Sequence, residues 1–150
     1  MPYQELTSIA DDVVTLLEKT DTFESVTWVA LDNYRQLMDH AKTIAKVPKA
    51  VVCIGSGKYE KDALIRVFTV AIVVFAKFKR SRHDTADTVW ALAEAAAGPF
   101  IPVVSGNAAP VFPEINGVHY ELQGWEPLET DDRSASFVVE LKATEIIKYT

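Results

Sequence analysis

The stretch from Ala63 to Phe78 constrains this chain most. It is dominated by Val, Ile and Phe, and its centre, Val67 to Ala76, is a run of 10 residues without a charge. β-Branched and aromatic side chains suit a pleated strand. The run is too short to cross a bilayer as a helix, which takes about 20 residues. At about 3.3 Å per residue, an unbroken strand over the whole stretch would run some 50 Å. That exceeds what one small domain covers, so the strand is expected to bend, bulge or project beyond the core. Ala50 to Ile54 is a second compact apolar run. Between the two, Gly55 to Asp62 is glycine-rich and then charged, which predicts a turn and makes the pair a β-hairpin.

Helical spacing brackets this hairpin. Leu6, Ile9, Ala10, Val13, Leu16 and Leu17 recur three and four apart, predicting an amphipathic helix over 4–19. Ser25 to Ala30 reads as a short strand. Asp32 has the chemistry of an N-cap, and Tyr34, Leu37, Met38, Ala41, Ile44 and Ala45 predict a second helix that ends before Pro48. After the hairpin, Ser81 or Asp84 caps a third helix with Ala86, Val89, Trp90, Ala93 and Ala97 on its stripe, stopped by Gly98-Pro99. Four prolines between 99 and 117 predict a long irregular connection. His119–Leu128 and Ser136–Ile147 form a last pair of strands, joined by an acidic turn over Glu129–Arg133. The expected fold is therefore α+β in a single domain, 1–150: a mostly antiparallel sheet of about five strands built from two hairpins, covered by three amphipathic helices. Helical crossovers between consecutive strands are not expected.

The composition excludes several classes. Of the 150 residues, 49% are hydrophobic, too many for a disordered chain. One cysteine, Cys53, cannot close an internal disulfide, which removes a stapled secreted scaffold. The first residues lack a basic region followed by an apolar run, so no secretory leader is expected. The net charge of −6 does not draw the molecule as a whole to nucleic acid. That charge is unevenly spread: residues 98–150 carry 3 basic and 8 acidic side chains. Lys77, Lys79, Arg80 and Arg82 form a small basic knot instead.

Sites for chemistry are weak. Gly55-Ser56-Gly57-Lys58 suggests a phosphate loop, but Val52 stands where its first glycine belongs and Tyr59 where a hydroxyl would hold magnesium. His83, Asp84 and Asp87 could bear on a metal, yet no further ligands complete the set, and a helix N-terminus explains the carboxylates. Cys53 sits in an apolar strand, where a thiol is inert packing. His40, His83 and His119 lie on different elements, and no paired acid and base stands out. No catalytic residue, cofactor or metal is expected.

Several segments together resemble one known family. They are Val26-Thr27-Trp28-Val29 and Asp32-Asn33-Tyr34 behind an amphipathic helix, the strand Pro48-Lys49-Ala50-Val51-Val52, and the long strand Arg66 to Val74 leading to a basic loop and a helix near Asp84. The pair Tyr120-Glu121-Leu122 and Ser136 to Leu141 completes the pattern. In this order the chain resembles the tail-terminator or tail-completion proteins of long-tailed bacteriophages, particularly Mu-like prophage members. The resemblance implies a structural protein that caps the tail tube as a hexameric ring and contributes to the head–tail joining surface. The partners it implies are further copies of itself, the tail tube protein and a head–tail connector protein, with DNA met only in the ring lumen and no membrane. The location is the virion tail, and the host cytoplasm during assembly.

Candidate contact residues are Lys58, Tyr59 and Lys61 at the hairpin tip, Lys77, Lys79, Arg80 and Arg82 in the knot, and Asp131, Asp132 and Arg133 in the acidic turn. Opposite charge at two ends of one subunit would suit a ring-closing interface. Two alternatives stay open. One is a small enzyme or ligand-binding domain with a pocket near the long loop, Trp125 and Tyr120. The other is a regulatory partner contacting DNA through the knot.

Overall fold

A computed structural model describes residues 3–30, 48–77, 82–130 and 134–147. The first helix, α1 (Leu6–Glu18), forms as its spacing dictates: Ile9, Ala10, Val13 and Leu17 are buried on one stripe. Then come β1 (Ser25–Trp28), β2 (Lys49–Glu60), β3 (Ile65–Lys77), α2 (Arg82–Ala97), a 3-10 turn over Gly98–Phe100, β4 (Glu114–Ile115), β5 (Val118–Thr130) and β6 (Ser134–Ile146). The strands make one sheet in the order β1-β2-β3-β6-β5-β4. It curls into a half-barrel. β3 lies near its centre and pairs with β6 along its whole length, from Ile65 with Ile146 to Lys77 with Ser134.

The expectation of about five mostly antiparallel strands under three helices is corrected. The sheet has six strands and is mixed, and two α-helices occur among the described residues. β1 runs parallel to β2, with Ser25 opposite Lys49 and Trp28 opposite Val52. The hairpin logic overlooked this pair, although the chain from Val29 to Pro48 is long enough for the crossover that parallel strands need. The helix expected from Asp32 to Ala45 lies outside the described residues. β4 was hidden in the proline-rich connection. It turns back into β5 through Asn116 and Gly117, both at positive φ (50° and 85°), the pattern of a tight hairpin turn.

Gly55 to Glu60 is strand, not turn: β2 continues through it, opposite β3 as far as Glu60 with Ile65. The glycines serve a bulge where the register shifts between Ile54 and Gly57. A Cβ at Gly57 would come within 2.7 Å of the Phe68 Cβ, so the two strands meet too closely there for a side chain. The turn itself is only Lys61 to Leu64. Lys61, Asp62 and Ala63 all take left-handed backbone (φ 49°, 58° and 64°), and the Leu64 N–H donates to the Lys61 carbonyl at 3.1 Å.

Both faces of the sheet bury apolar side chains. On one face α1 and α2 cover Val52, Val70, Ile72, Val74, Val139 and Leu141. On the other, Val51, Ala71, Val73, Phe75 and Val138 form a second cluster. Strands buried on both faces read as continuous apolar runs, which explains the unbroken run at Val67 to Ala76. Along β6, Phe137, Val139, Leu141 and Ala143 are buried on the helix side, while on the far side Val138 is buried and Lys142 exposed. Among the described residues, no helix is long and apolar enough to cross a membrane.

Candidate interaction site

Three surfaces have the composition of a site. The first is the connection after α2. It pairs internally through Val103 and Val111, whose N–H groups donate to each other's carbonyls at 2.9 Å, and the Ala108 N–H donates to the Ser105 carbonyl at 3.0 Å. Here the apolar side chains face outward: Val103 is 65% and Val111 67% exposed, and Ile101, Val104 and Phe112 are exposed too. Between this segment and the sheet lies a trough of about 890 Å³, walled by prolines and reaching His119, Tyr120 and Ile146. A contiguous apolar patch left open on a soluble domain marks a contact surface.

The second is a cleft of about 460 Å³ between α2 and the β5–β6 side of the sheet. Trp90, Ala93, Glu94 and Ala97 follow one another at helical spacing along one wall, and Leu122, Trp125 and Phe137 line the other. Trp90, predicted as core, is corrected to a rim residue 51% exposed, because Val89, Leu92, Ala93 and Ala96 already fill the core side of α2. Trp125 leans on Phe137, with ring centroids 5.9 Å apart, and is 68% exposed.

The third is a polar cluster beneath the start of the chain. Arg66 Nη2 donates to Glu145 Oε1 at 3.0 Å and to the Gln4 carbonyl at 2.7 Å. The Gln4 N–H donates to both oxygens of Glu145 at 3.2 Å, and Gln4 Nε2 and Asn116 Nδ2 both reach Asp12 Oδ2 at 3.0 Å. The Arg66 guanidinium lies 4.7 Å from the centre of the Tyr3 ring. Nearby, the buried Tyr120 hydroxyl has no partner among the described residues. Burial first, and then the charges of Asp12 and Glu145, push its pKa far up, so it stays protonated. The cluster clamps residues 3 and 4 onto the sheet.

The residues expected at the interface fall into two groups. Lys58, Tyr59 and Lys61 do meet, exposed, at the tip of the β2–β3 hairpin. Lys58 Nζ is 3.1 Å from Glu60 on its own strand, and Tyr59 packs against Tyr3 with ring centroids 5.8 Å apart. Lys77 ends β3 at the opposite end, about 40 Å away at strand spacing. Arg82 opens α2. Lys79, Arg80, Asp131, Asp132 and Arg133 lie outside the described residues. Lys77, the last residue of β3, pairs with Ser134, the first of β6.

Cys53 is buried in β2, and burial raises its thiol pKa, which suppresses the reactive thiolate. Gly55 to Lys58 lies within a strand, so it has no helix N-terminus to offer a phosphate. Among the described residues no group of three or more His, Cys, Asp or Glu side chains could hold a metal. The pocket expected near Trp125 and Tyr120 names one residue of this cleft and one of the trough, whereas helical spacing takes Trp90, Ala93 and Ala97 into the helix stripe. No protein-family model matches the chain, and no curated protein matches it in sequence.

Proposed function

We propose that the chain is a structural tail protein of a bacteriophage or prophage, of the tail-terminator kind. It assembles with copies of itself into a ring that caps the tail tube, and it contributes to the surface that joins the head, acting through protein–protein contacts without a cofactor. The observation that carries this reading is the outward apolar segment from Ile101 to Phe112. Exposed Val, Ile and Phe in water gain by burial against a partner, at about 25 cal/mol per Å² of apolar area. The hairpin tip adds a second projecting contact.

The test is co-sedimentation of the purified chain with phage tail tubes, with ring formation followed by light scattering and electron microscopy. The intact chain is expected to pellet with tubes. Val103→Asp together with Val111→Asp is expected to abolish pelleting while leaving the circular dichroism spectrum unchanged, since both side chains are exposed. A chain that stays monomeric and never meets the tube overturns the proposal.

A further inference from the structure

Among the described residues, most of the outer edge of β5 is unpaired. β4 covers it only at Val118 and His119, and the Tyr120 N–H donates to the Pro113 carbonyl at 3.0 Å. From Glu121 onward no strand among the described residues pairs with that edge; the register of β5 against β6 shifts between Leu122 and Gly124, so an added strand would follow a bulge at Gln123. Unpaired backbone of this kind is a template for an added strand. Glu121 and Gln123 to Glu126 are exposed, and a Cβ built at Gly124 would meet nothing within 4 Å. Pro127, which lacks an N–H, limits the usable edge.

The Trp90–Trp125 cleft lies directly beside this edge. Trp125 belongs to β5 and turns its ring to the helix side, over Phe137. A residue paired opposite Trp125 on an added strand would set its Cβ about 5 Å from that of Trp125. Its side chain would then enter between Trp125 and Trp90. Glu94 is the charged residue among the described lining, on the same wall as Trp90. Indole faces and one carboxylate select a cation with a flat or apolar body, and a guanidinium meets both demands by stacking and by hydrogen bonding. The strand edge repeats the preference, with Glu121 and Glu126 exposed along it.

We propose that this edge and cleft together dock an extended segment of a partner protein, which adds as a strand along Glu121–Glu126 and places an arginine side chain between Trp90 and Trp125, against Glu94. Backbone pairing supplies the affinity and the cleft supplies the choice of side chain. The inference stands apart from the tail reading, because it specifies a recognition chemistry and not an assembly.

The test uses the full chain and the blocked peptide acetyl-Val-Thr-Val-Arg-Val-Thr-Val-amide, followed by tryptophan fluorescence and by backbone amide shifts. Binding should quench the cleft tryptophans and move the amides of Glu121–Glu126. Replacing the peptide's Arg by Glu, or making Glu94→Lys in the chain, should weaken binding about tenfold or more. N-methylation of alternate peptide amides should do the same. Glu94 is exposed, so its variant is expected to fold. The proposal is overturned if the Arg peptide moves neither signal, or if the Glu and Arg peptides bind alike. It is also overturned if free arginine amide binds as tightly as the peptide, since the cleft would then be a small-molecule site without strand addition.

Discussion

At the scale of single residues, the fold carries a polar group that works against it. Lys49 opens β2 beside Ser25 and Phe75, on the same face as Val51. It is 0% exposed, and its Nζ has no hydrogen-bond partner among the described residues. Burial lowers its pKa below the ordinary 10.5. The sign of the pH effect follows. At a pH between the folded-state value and 10.5, the unfolded chain binds a proton that the folded chain does not, so stability rises with pH through that window. Below the window the penalty is complete, and above 10.5 it is gone. Lys49→Met removes the unsatisfied amine and keeps the stem. It is expected to stabilise the protein by about 1–3 kcal/mol at neutral pH. Urea unfolding of both proteins at a series of pH values should show this advantage shrinking as the solution becomes alkaline. A constant difference across the series would mean that the amine is not the cause. Arg66 and Glu145 show a different arrangement: both are largely buried, Arg66 Nη2 meets Glu145 and both hold Gln4, while the Arg66 Nε has no partner among the described residues. No spacing rule in the sequence brings Gln4, Arg66 and Glu145 together, because the pairing depends on where three distant segments meet.

At the scale of elements, the two glycines of β2 separate what a bulge needs from what it tolerates. A Cβ at Gly55 would rest at 3.6 Å from Thr69, an ordinary contact, whereas one at Gly57 would stand 2.7 Å from both the Phe68 Cβ and the Val67 carbonyl oxygen. Gly55→Ala is therefore expected to change stability by less than about 0.5 kcal/mol, and Gly57→Ala to cost about 1–3 kcal/mol. Thermal unfolding of the two variants beside the parent checks the pair, and equal effects would contradict the close approach of the strands. These same residues show where the sequence misleads. Gly-Ser-Gly-Lys has the composition of a turn, and only the register of β2 against β3 reveals a strand running through it. The stripe of α1, the long strand and the final hairpin were legible, because each follows a period of the chain itself. The parallel β1–β2 pair was not, since a pairing between segments far apart leaves no local mark. β4 did leave one, in Asn116-Gly117, but the surrounding prolines outweighed it. At the candidate site, periodicity put Trp90 in the core, because a stripe does not say where the core ends and a cleft begins.

At the scale of the whole molecule, burial is graded across the fold. Val70 to Val74 in β3 and Val138 to Leu141 in β6 lie in the middle of the sheet, largely buried and paired to each other. Their amides are released only when the sheet as a whole opens. The half of β2 from Gly55 to Glu60 is exposed, with β3 as its pairing neighbour. The segment from Ile101 to Phe112 is held by few backbone hydrogen bonds: the Val103–Val111 bridge, Ala108 N–H to Ser105 and Ile101 N–H to Gly98. Hydrogen exchange followed by mass spectrometry should therefore give three classes: slowest in the central strands, intermediate over Gly55–Glu60, and fastest over Ile101–Phe112. The fast class bears on function. A segment that is apolar, outward and weakly held by its own domain gains order only when something else covers it, and tail tubes are expected to slow its exchange selectively. If Ile101–Phe112 is already as protected in the free chain as the central strands, its valines are packed rather than presented. The assembly reading then loses the surface it rests on.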